Sequence, residues 1–395
     1  MLHQLMVSVK KPFIKMVPVP KPECLSGSGQ VLNVPSLCHQ YSVKRPLVVT
    51  DGVLRKLGLL DDMLAALDAA AIEYSLFDEV LPDPDFATVR KGVERYKQQS
   101  CDGIIAFGGG SPMDCAKAIA GSAKSNKDVS KLTGLLKVHR PLMPIIAIPT
   151  TAGTGSEGTV AAVVSDVESK MKRSITDPFL VPKVAVLDPD IMLGLPAQIT
   201  AETGADALTH AVESYLSQYS NTFTETCSIN AIQAIFDYLP AAYLQGSDKV
   251  AREKMAIASY EAGLAFTRTY IGYVHAIAHQ LGAFYHVPHG RANAVVLPHV
   301  LRFIEQRDNA RLTELSLALG YKDSHHFIEN VDSLLRTLNI PTVIPELKKS
   351  DIPRLAKQAI KEAFGEYPVP EEMTVAECQQ LLDTLLDTGA HNECS

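Results

Sequence analysis

The strongest constraint on the fold is an alternation of strand-like and helix-like segments between residues 46 and 187. Short apolar runs of strand length alternate with longer segments whose apolar residues recur at helical spacing. The strand-like runs are Pro46–Thr50, Ile72–Val80, Gly103–Phe107, Pro144–Pro149 and Lys183–Leu187, and the helical segments between them are 53–71, 86–99 and 112–123. This alternation predicts a Rossmann-like α/β domain with a parallel sheet covered on both faces. Ligands of such sheets bind at the carboxyl ends of the strands.

Beyond Asp188 the pattern changes, and almost every segment has helical period. The predicted helices are 201–217, 225–243, 251–270, 274–285, 292–305, 310–319, 324–338, 352–363 and 375–388. Thr200 is expected to cap the first of them. The chain is therefore predicted to have an α/β dinucleotide-binding domain at 1–190, which includes an N-terminal extension at 1–24, and an all-helical metal-binding domain at 191–395. The active site is expected in the cleft between the two domains.

The composition is that of an ordinary globular enzyme of 395 residues. Its 37 basic and 44 acidic side chains give a net charge of −7, which provides no electrostatic basis for binding nucleic acid or an anionic membrane. Seven cysteines without a CxxC pair indicate neither a disulfide framework nor a thiolate zinc site, so a reducing, cytoplasmic compartment is expected. Lysines interrupt every apolar run of residues 1–24, which is not typical of a signal peptide.

Six of the twelve histidines fall between Gly204 and His299. Asp206 and His210 are spaced i, i+4, and so are His275 and His279, so each pair shares one face of a helix. His289 is predicted to lie in the turn that ends the second helical run, from where it can reach the site of the two pairs. Each histidine alone could instead cap a helix or lie satisfied in the core. That simpler interpretation is kept for His286 and His299.

Oxygen and nitrogen donors without a thiolate suit Fe(II), Zn(II), Mn(II) or Ni(II). Three or four protein ligands with one open position would make the site catalytic rather than structural. The histidine cluster therefore predicts a catalytic metal centre.

Two strand ends have the composition of a cofactor site. Gly108, Gly109 and Gly110 lead into Ser111 as the expected N-cap and Pro112 at the first helical position, a geometry that suits a pyrophosphate. The generic dinucleotide fingerprint is absent, Asp114 is an unfavourable anion there, and a capped tight turn remains the alternative.

The second strand end, 147–159, places the hydroxyls of Thr150, Thr151, Thr154, Ser156 and Thr159 among small residues. Such a loop suits a phosphate, ribose or carboxamide. Asp51, at the end of the first strand, could accept hydrogen bonds from a ribose and would repel a 2′-phosphate, which predicts NAD rather than NADP. A plain turn at Thr50–Gly52 is the alternative.

Four ordered motifs resemble those of the iron-containing, group III alcohol dehydrogenases, close to the branch of lactaldehyde reductases and short-chain alcohol dehydrogenases. They are GGGSPMD at 108–114, PTTAGTGSE at 149–157, DALTHAVESY at 206–215 and GYVHAIAHQLGAFYHVPHG at 272–290. The resemblance extends from about Ser26 to Thr374 and implies the dehydroquinate synthase-like fold and a homodimer.

The resemblance also assigns roles to single residues. It implies that the metal ligands, for Fe(II) or else Zn(II), are Asp206, His210, His275 and His289. His279 matches a histidine that lies beside the metal without binding it, and Phe266 matches an aromatic residue at the substrate. The implied cofactor residues are Asp51, Gly109, Gly110, Ser111, Thr150, Thr151, Thr154 and Lys172.

The expected reaction is hydride transfer between NAD and a small primary alcohol or diol, with His279 passing the hydroxyl proton to solvent. Three alternatives stay open. A lyase of the same fold would need clustered cations for a substrate phosphate, whereas only Arg268 and Arg291 lie near the metal motifs. A hydroxy-acid or oxo-acid substrate would need one cation, which Arg268 could supply. A non-redox metal-dependent hydrolase would leave both cofactor-like strand ends unexplained.

Overall fold

A computed structural model describes residues 3, 7–12, 17–168 and 171–387 of the chain. These residues form two compact units. The sheet unit consists of Val17–Leu195 and Ser247–Thr267, and the helical unit consists of Pro196–Gly246, the described residues from Arg268 onward and those before Val17. The predicted boundary at residue 190 lies close to this division, but two segments belong to the other unit from the one predicted: the described residues before Val17 and Ser247–Thr267.

The sheet unit is built around six parallel strands, of which the predicted alternation contains five and lacks the edge strand Glu23–Ser26. The strands of this unit are β1 Glu23–Ser26, β2 Pro46–Asp51, β3 Ser75–Val80, β4 Gly103–Gly108, β5 Gly134–Leu135, β6 Ile145–Pro149, β7 Ala161–Asp166, β8 Met171–Thr176 and β9 Val184–Leu187. The main sheet has the order β1-β9-β6-β4-β2-β3. Its central strands are buried along their whole length because helices cover both faces. The helices are Val34–Gln40, Gly52–Lys56, Asp61–Ala69, Phe86–Gln98, Gly110–Ser125 and Lys249–Thr269.

The predicted single helix at 53–71 is wrong. Two helices, Gly52–Lys56 and Asp61–Ala69, take its place because the chain turns at Gly58, whose φ is 72°. Glycine adopts this left-handed conformation without the steric cost that a Cβ brings. The leucine spacing continues across the break, which explains why periodicity alone suggested one helix.

A second, three-stranded sheet of order β5-β8-β7 was not predicted. In its hairpin, β7 pairs antiparallel with β8, and Ser165 lies opposite Lys172. Strand β7 carries apolar residues on both faces, since Val164 is buried while Val163 is exposed, and β8 buries Ile175 among mostly polar neighbours. Neither strand therefore shows the period-two alternation that identifies a half-buried strand.

The helical unit contains only helices and turns among its described residues. Its helices are Ala197–Leu216, Thr222–Leu244, Tyr273–Tyr285, His289–Glu305, Ala310–Ala318, Ser324–Thr337, Ile352–Glu366 and Val375–Asp383. The predicted N-cap at Thr200 is wrong, because the helix already begins at Ala197 and the Thr200 hydroxyl donates to the carbonyl of Pro196 at 3.1 Å. No helix in the described part of the chain has the length and apolar content needed to cross a membrane.

Most of the helix at Lys249–Thr269 clusters with the sheet unit. A Cβ on Gly263 would lie 2.3 Å from the carbonyl oxygen of Gly155, so the two backbones touch. Hydrogen bonds flank this contact, from Gly155 N to Ser259 Oγ at 3.2 Å and from Val160 N to Thr267 Oγ1 at 2.8 Å. The sequence assigned this helix to the second domain because helical period carries no information about packing partners. A division into folding domains near residue 190 stays a prediction.

We expect Gly263→Ala to lower the free energy of unfolding by about 1–3 kcal/mol, because the added methyl group would overlap the Gly155 backbone. Gly365→Ala is the matched control, since it also lies in a helix but has no atom within 4 Å of the added Cβ. This control should be neutral or stabilising by up to about 1 kcal/mol, the helix-propensity advantage of alanine. Urea unfolding followed by circular dichroism measures both. Equal stability of the two variants would contradict the contact.

Candidate metal centre and cofactor site

Three helices of the helical unit bring the predicted metal ligands together. Asp206 and His210 lie one turn apart on the helix Ala197–Leu216, and His275 lies on the helix Tyr273–Tyr285. The ligand-capable atoms of these three residues all lie within 4.8 Å of one another. His289 joins them with Nε2 at 3.6 Å from Asp206 Oδ1. The spacing within the first helix therefore correctly indicated that Asp206 and His210 are neighbours. The packing of the helices brings His275 and His289 to them.

The predicted loop position of His289 is wrong, since it is the first residue of the helix His289–Glu305. This helix begins directly after Pro288, whose dihedral angles place it as the N-cap. A Cβ on Gly290 would lie 2.4 Å from the carbonyl oxygen of Glu202, so glycine permits close packing of this helix on the helix that carries Asp206. The Val-Pro-His-Gly sequence thus starts a helix beside the cluster rather than only ending the preceding one.

Asp206, His210 and His275 are buried. Burial lowers the pKa of His275 well below its usual range, and the neighbouring imidazoles of His210, His289 and His279 act in the same direction. A neutral imidazole is the form that binds a metal. Nε2 of His275 lies 3.8 Å from Asp206 Oδ1 and has no hydrogen-bond partner among the described residues. A buried ring nitrogen without a partner, facing a carboxylate, fits a cation between them.

Sequence reasoning missed two residues that hold these side chains. Glu213 accepts hydrogen bonds from Nδ1 of His275 at 2.6 Å and from the amides of Gly272 and Val274. Asn293 donates through Nδ2 to Asp206 Oδ1 at 2.7 Å. Burial raises the pKa of the Glu213 carboxyl, while the amide donors act in the opposite direction. Helical spacing could have suggested both, since Glu213 lies seven residues after Asp206 and Asn293 four after His289.

His279 lies beside the cluster and is held by a separate carboxylate. Glu362 accepts from Nδ1 of His279 at 2.6 Å, from Gln280 Nε2 at 2.8 Å and from the Tyr367 hydroxyl at 2.7 Å. The His279 ring stacks on that of His289 with centroids 5.4 Å apart, and 34% of its side chain is exposed. His279 therefore has both an orienting partner and access to solvent.

The structure places His286 and His299 outside the cluster. His286 is the C-cap of the helix Tyr273–Tyr285, with a left-handed φ of 57°. The His299 ring forms a hydrogen bond through Nδ1 with the Thr384 hydroxyl at 2.8 Å, and burial lowers the pKa of His299 to about 4. The positions of both histidines are explained without a metal.

The predicted cofactor residues gather at the carboxyl edge of the main sheet. Strand β2 pairs with β3 on one side and β4 on the other, so the chain changes direction across the sheet between β2 and β4. This is the position at which open α/β sheets bind ligands. Asp51 ends β2, and the register of Gly108 with Pro149 brings the glycines after β4 next to Thr150 after β6.

The glycine-rich turn, Gly108–Gly110, lies against the threonines of the second strand end. A Cβ on Gly109 would lie 3.4 Å from Thr151 Oγ1, and one on Gly110 would lie 3.0 Å from Thr154 Cγ2. The predicted N-cap at Ser111 is wrong, because the helix begins at Gly110 and Gly109 is its N-cap. No side-chain hydrogen bond caps this helix. Its first amides therefore suit an anionic ligand.

Family models match both halves of the chain. The model described as iron-containing alcohol dehydrogenase matches residues 21–189, and its C-terminal counterpart matches 200–386. The chain belongs to the iron-containing alcohol dehydrogenase family. As a member of this family it is an oxidoreductase.

Individual relatives agree with this assignment. The chain is 36% identical to a lactaldehyde reductase of Escherichia coli K12 over 374 residues, which cover 91% of this chain and 96% of the relative. The crystal structure of a 1,3-propanediol oxidoreductase superposes with a TM-score of 0.89 at 37% identity, covering 94% of this chain and 100% of the other. A sulfoacetaldehyde reductase of Bifidobacterium kashiwanohense, solved with NAD+, gives 0.86 at 27% identity, covering 94% and 99%. The dehydroquinate synthase-like fold is therefore confirmed.

In this alcohol dehydrogenase, Asp51 caps a short helix, whereas the alternative interpretation was a plain turn at Thr50–Gly52. It is the N-cap of the helix Gly52–Lys56, and its Oδ1 accepts from the amides of Val53 and Leu54, both at 2.9 Å. Both bonds use Oδ1, and no described residue donates to Oδ2. A ribose hydroxyl can therefore still bond to this carboxylate. The helix cap formed by Asp51 and a cofactor contact of the same side chain are compatible.

Two further predicted residues, Lys172 and Phe266, lie in the sheet unit. Lys172 pairs with Asp83 at 2.6 Å, and the Asp83 amide donates to Ser111 Oγ at 3.3 Å, so Lys172 is linked to the glycine-rich turn. Phe266 lies half-buried on the helix Lys249–Thr269, within the sheet unit, and its contact with substrate stays a prediction.

A buried ionic network stabilises the loop after β6. Asp114 does not face the anion site, because it accepts from Ser156 Oγ and from the Val163 amide, both at 2.9 Å. Lys117 is fully buried, and its Nζ lies 2.5–3.1 Å from five oxygens of Ser156, Thr159 and Ala161. Burial lowers the pKa of Lys117 to about 8. Through Lys117, the helix after the glycine-rich turn thus stabilises the loop that carries the threonines.

We expect Lys117→Met to lower the free energy of unfolding by about 3–5 kcal/mol, because five oxygens of Ser156, Thr159 and Ala161 would lose their buried donor. Lys124→Met, on the exposed face of the same helix, should change stability by less than about 0.5 kcal/mol. Chemical denaturation of both variants and the parent protein tests the difference. A loss in Lys117→Met no larger than that in the control would contradict the role of the network.

Proposed function

We propose that the protein is an NAD-dependent, metal-dependent alcohol dehydrogenase or aldehyde reductase for a small primary alcohol or diol. The observation that carries the proposal is the buried cluster of Asp206, His210 and His275, in which Nε2 of His275 faces a carboxylate without a hydrogen-bond partner among the described residues. One carboxylate and imidazole nitrogens suit a borderline divalent ion, Fe(II) or else Zn(II).

The four residues assigned to the ion are Asp206, His210, His275 and His289. A divalent ion bound by them supplies a Lewis acid, and NAD supplies the acceptor of the hydride. Asn293 orients the carboxylate of Asp206. Because Asp206, His210 and His275 are buried, water has little access to their side chains.

The sheet unit supports the assignment of NAD. The amides at the start of the helix Gly110–Ser125 suit the pyrophosphate, with Gly109, Gly110 and Ser111 at the turn and Thr150, Thr151 and Thr154 opposite them. Lys172 is connected to this turn through its ion pair with Asp83, whose amide donates to Ser111 Oγ. Asp51 would accept bonds from the ribose hydroxyls and repel the 2′-phosphate of NADP. The related sulfoacetaldehyde reductase was solved with NAD+.

His279 is assigned to proton transfer. Glu362 accepts from its Nδ1, which leaves Nε2 as the atom that takes up a proton from the substrate hydroxyl. The ionised carboxylate stabilises the imidazolium that this transfer produces. The exposed part of the ring can then pass the proton to solvent.

The surroundings of the two candidate cations favour an uncharged substrate. The guanidinium of Arg268 lies over the Phe223 ring at 4.9 Å, and Arg291 pairs with Glu346 at 2.9 Å. Both cations therefore have interactions of their own, which weakens the proposals of a carboxylate substrate and of a lyase that binds a phosphate. Membership in a family of oxidoreductases speaks against the hydrolase. A homodimer and a cytoplasmic location remain predictions.

Removal and replacement of the metal test the reaction. We expect chelation to abolish NADH formation from small primary alcohols and diols, and Fe(II) or Zn(II) to restore it. Because Asp51 repels a 2′-phosphate, turnover should be faster with NAD than with NADP. Initial rates with a panel of alcohols measure both effects. Full turnover by the chelated protein, or a preference for NADP, would contradict the corresponding assignment.

His279→Ala should retain the bound metal and lose about 100-fold or more in kcat, the usual contribution of a general acid or base. His325→Ala, a change at an exposed histidine remote in sequence from the metal motifs, serves as the control and should keep both. Metal content by elemental analysis and kcat across a pH series give the two readouts. Normal turnover of His279→Ala at every pH would show that this residue carries no proton.

A further inference from the structure

We propose that Glu213 is a positioning residue that holds His275 with Nε2 aimed at the ion and thereby sets the affinity for it. Glu213 itself is not a ligand in this proposal. The proposal rests on the function proposed above, because it presupposes that His275 binds a divalent ion.

The hydrogen-bond donors around Glu213 determine which nitrogen of His275 carries the proton. Oε1 accepts from the Val274 amide at 2.6 Å, and Oε2 accepts from the Gly272 amide at 2.8 Å and from His275 Nδ1 at 2.6 Å. The two amides can only donate, so each carboxylate oxygen already acts as an acceptor at the helix start. The proton of a neutral His275 therefore lies on Nδ1. Its Nε2 keeps the lone pair, 3.8 Å from Asp206 Oδ1.

The same carboxylate also fixes the backbone that carries His275. Gly272 and Val274 mark the start of the helix Tyr273–Tyr285, whose first amides have no partner within the helix. Glu213 binds two amides at this helix start, a charge-assisted arrangement. One side chain thus sets both the position of the His275 backbone and the orientation of its ring.

Gly272 permits this approach. A Cβ at position 272 would lie 2.9 Å from Glu213 Oε1 and 3.2 Å from its Cδ, closer than side-chain carbons ordinarily come. Alanine at this position would therefore displace the carboxylate from the helix start. Gly272→Ala alters the position of Glu213 without changing its chemistry, so it provides an independent test.

Glutamine at position 213 would have the right shape but the wrong donors. Its single oxygen can replace either Oε1 or Oε2, and its NH2 group then faces an N–H donor at 2.6–2.8 Å in either orientation. A backbone amide faces the NH2 group in either orientation, so the side chain must move away from the helix start. Glutamine then no longer holds the proton of His275 on Nδ1, which weakens binding through Nε2. Loss of such an orienting partner typically reduces metal affinity 10- to 100-fold.

The chain offers a matched control in Glu362. Glu362 accepts from Nδ1 of His279 at 2.6 Å, the same type of contact that Glu213 makes with His275. His279 lies one turn after His275 on the same helix. His279 is not assigned to the ion. Glu362→Gln should therefore leave metal affinity unchanged, although it is expected to alter catalysis.

The experiment uses the full chain, stripped of metal and titrated with Zn(II) against a competing chelator. We expect Glu213→Gln and Gly272→Ala to bind Zn(II) 10- to 100-fold more weakly than the parent, and Glu362→Gln to bind it equally well. His275→Ala should lose the site. Thermal unfolding of the metal-free variants is measured in parallel. A purely structural role would lower the unfolding temperature while the folded protein kept its affinity.

The outcomes separate the two proposals. If the parent binds Zn(II), His275→Ala does not, and Glu213→Gln matches the parent, the role of Glu213 is overturned and the metal site stands. If His275→Ala binds Zn(II) as tightly as the parent, the proposed metal site is wrong, and the proposed function is overturned together with the role of Glu213. If Glu213→Gln does not fold, the Zn(II) affinity of Gly272→Ala is the test. An affinity equal to that of the parent overturns the inference.

Discussion

The helical unit depends on one constraint, the cost of burying polar side chains without partners. Asp206, His210 and His275 are placed where water cannot solvate them, and such groups are stable in a protein only when paired or bound to a cation. Asn293 and Glu213 supply part of that compensation through bonds of 2.6–2.7 Å. Nε2 of His275 still lacks a partner among the described residues, and an ion bound there would supply the remaining compensation.

Small residues make this arrangement possible. Gly290 lets one helix reach the Glu202 carbonyl, and Gly272 lets a carboxylate reach a helix start. The sheet unit uses the same means, since Gly155 and Gly263 bring a loop and a helix into backbone contact. In each case a methyl group would separate the elements that hold functional side chains. Close approach accounts for glycine at these positions, and Gly155 also has a left-handed φ of 58°.

Much of the fold was predictable because its signals are local. Apolar runs of strand length identified five of the six parallel strands, and helical period identified the helices of the second half. The errors concern features that periodicity does not contain: the turn at Gly58, the hairpin of β7 and β8, and the earlier starts of the helices at Gly110 and His289. The helix Lys249–Thr269 was assigned by its position in the chain, although its contacts place most of it with the sheet.

The candidate site shows the same difference between local signals and long-range contacts. Spacing of i, i+4 identified Asp206 with His210 and His275 with His279, whereas the partners of these histidines lie far away in sequence. Glu362 is 83 residues from His279, and Glu213 is 62 residues from His275. Contacts at such separations depend on how helices pack, which no local pattern encodes. Spacing therefore gave the members of the cluster but not their different roles.

His275 and His279 show what decides between those roles. Both lie on one helix, a turn apart, and each is bonded through Nδ1 to a glutamate at 2.6 Å. Their exposure differs, with 2% of the His275 side chain accessible and 34% of that of His279. A buried imidazole is held neutral and suits a metal, while one that reaches solvent can gain and lose a proton during turnover. The same chemical pair therefore suits two different proposed roles, and burial distinguishes them.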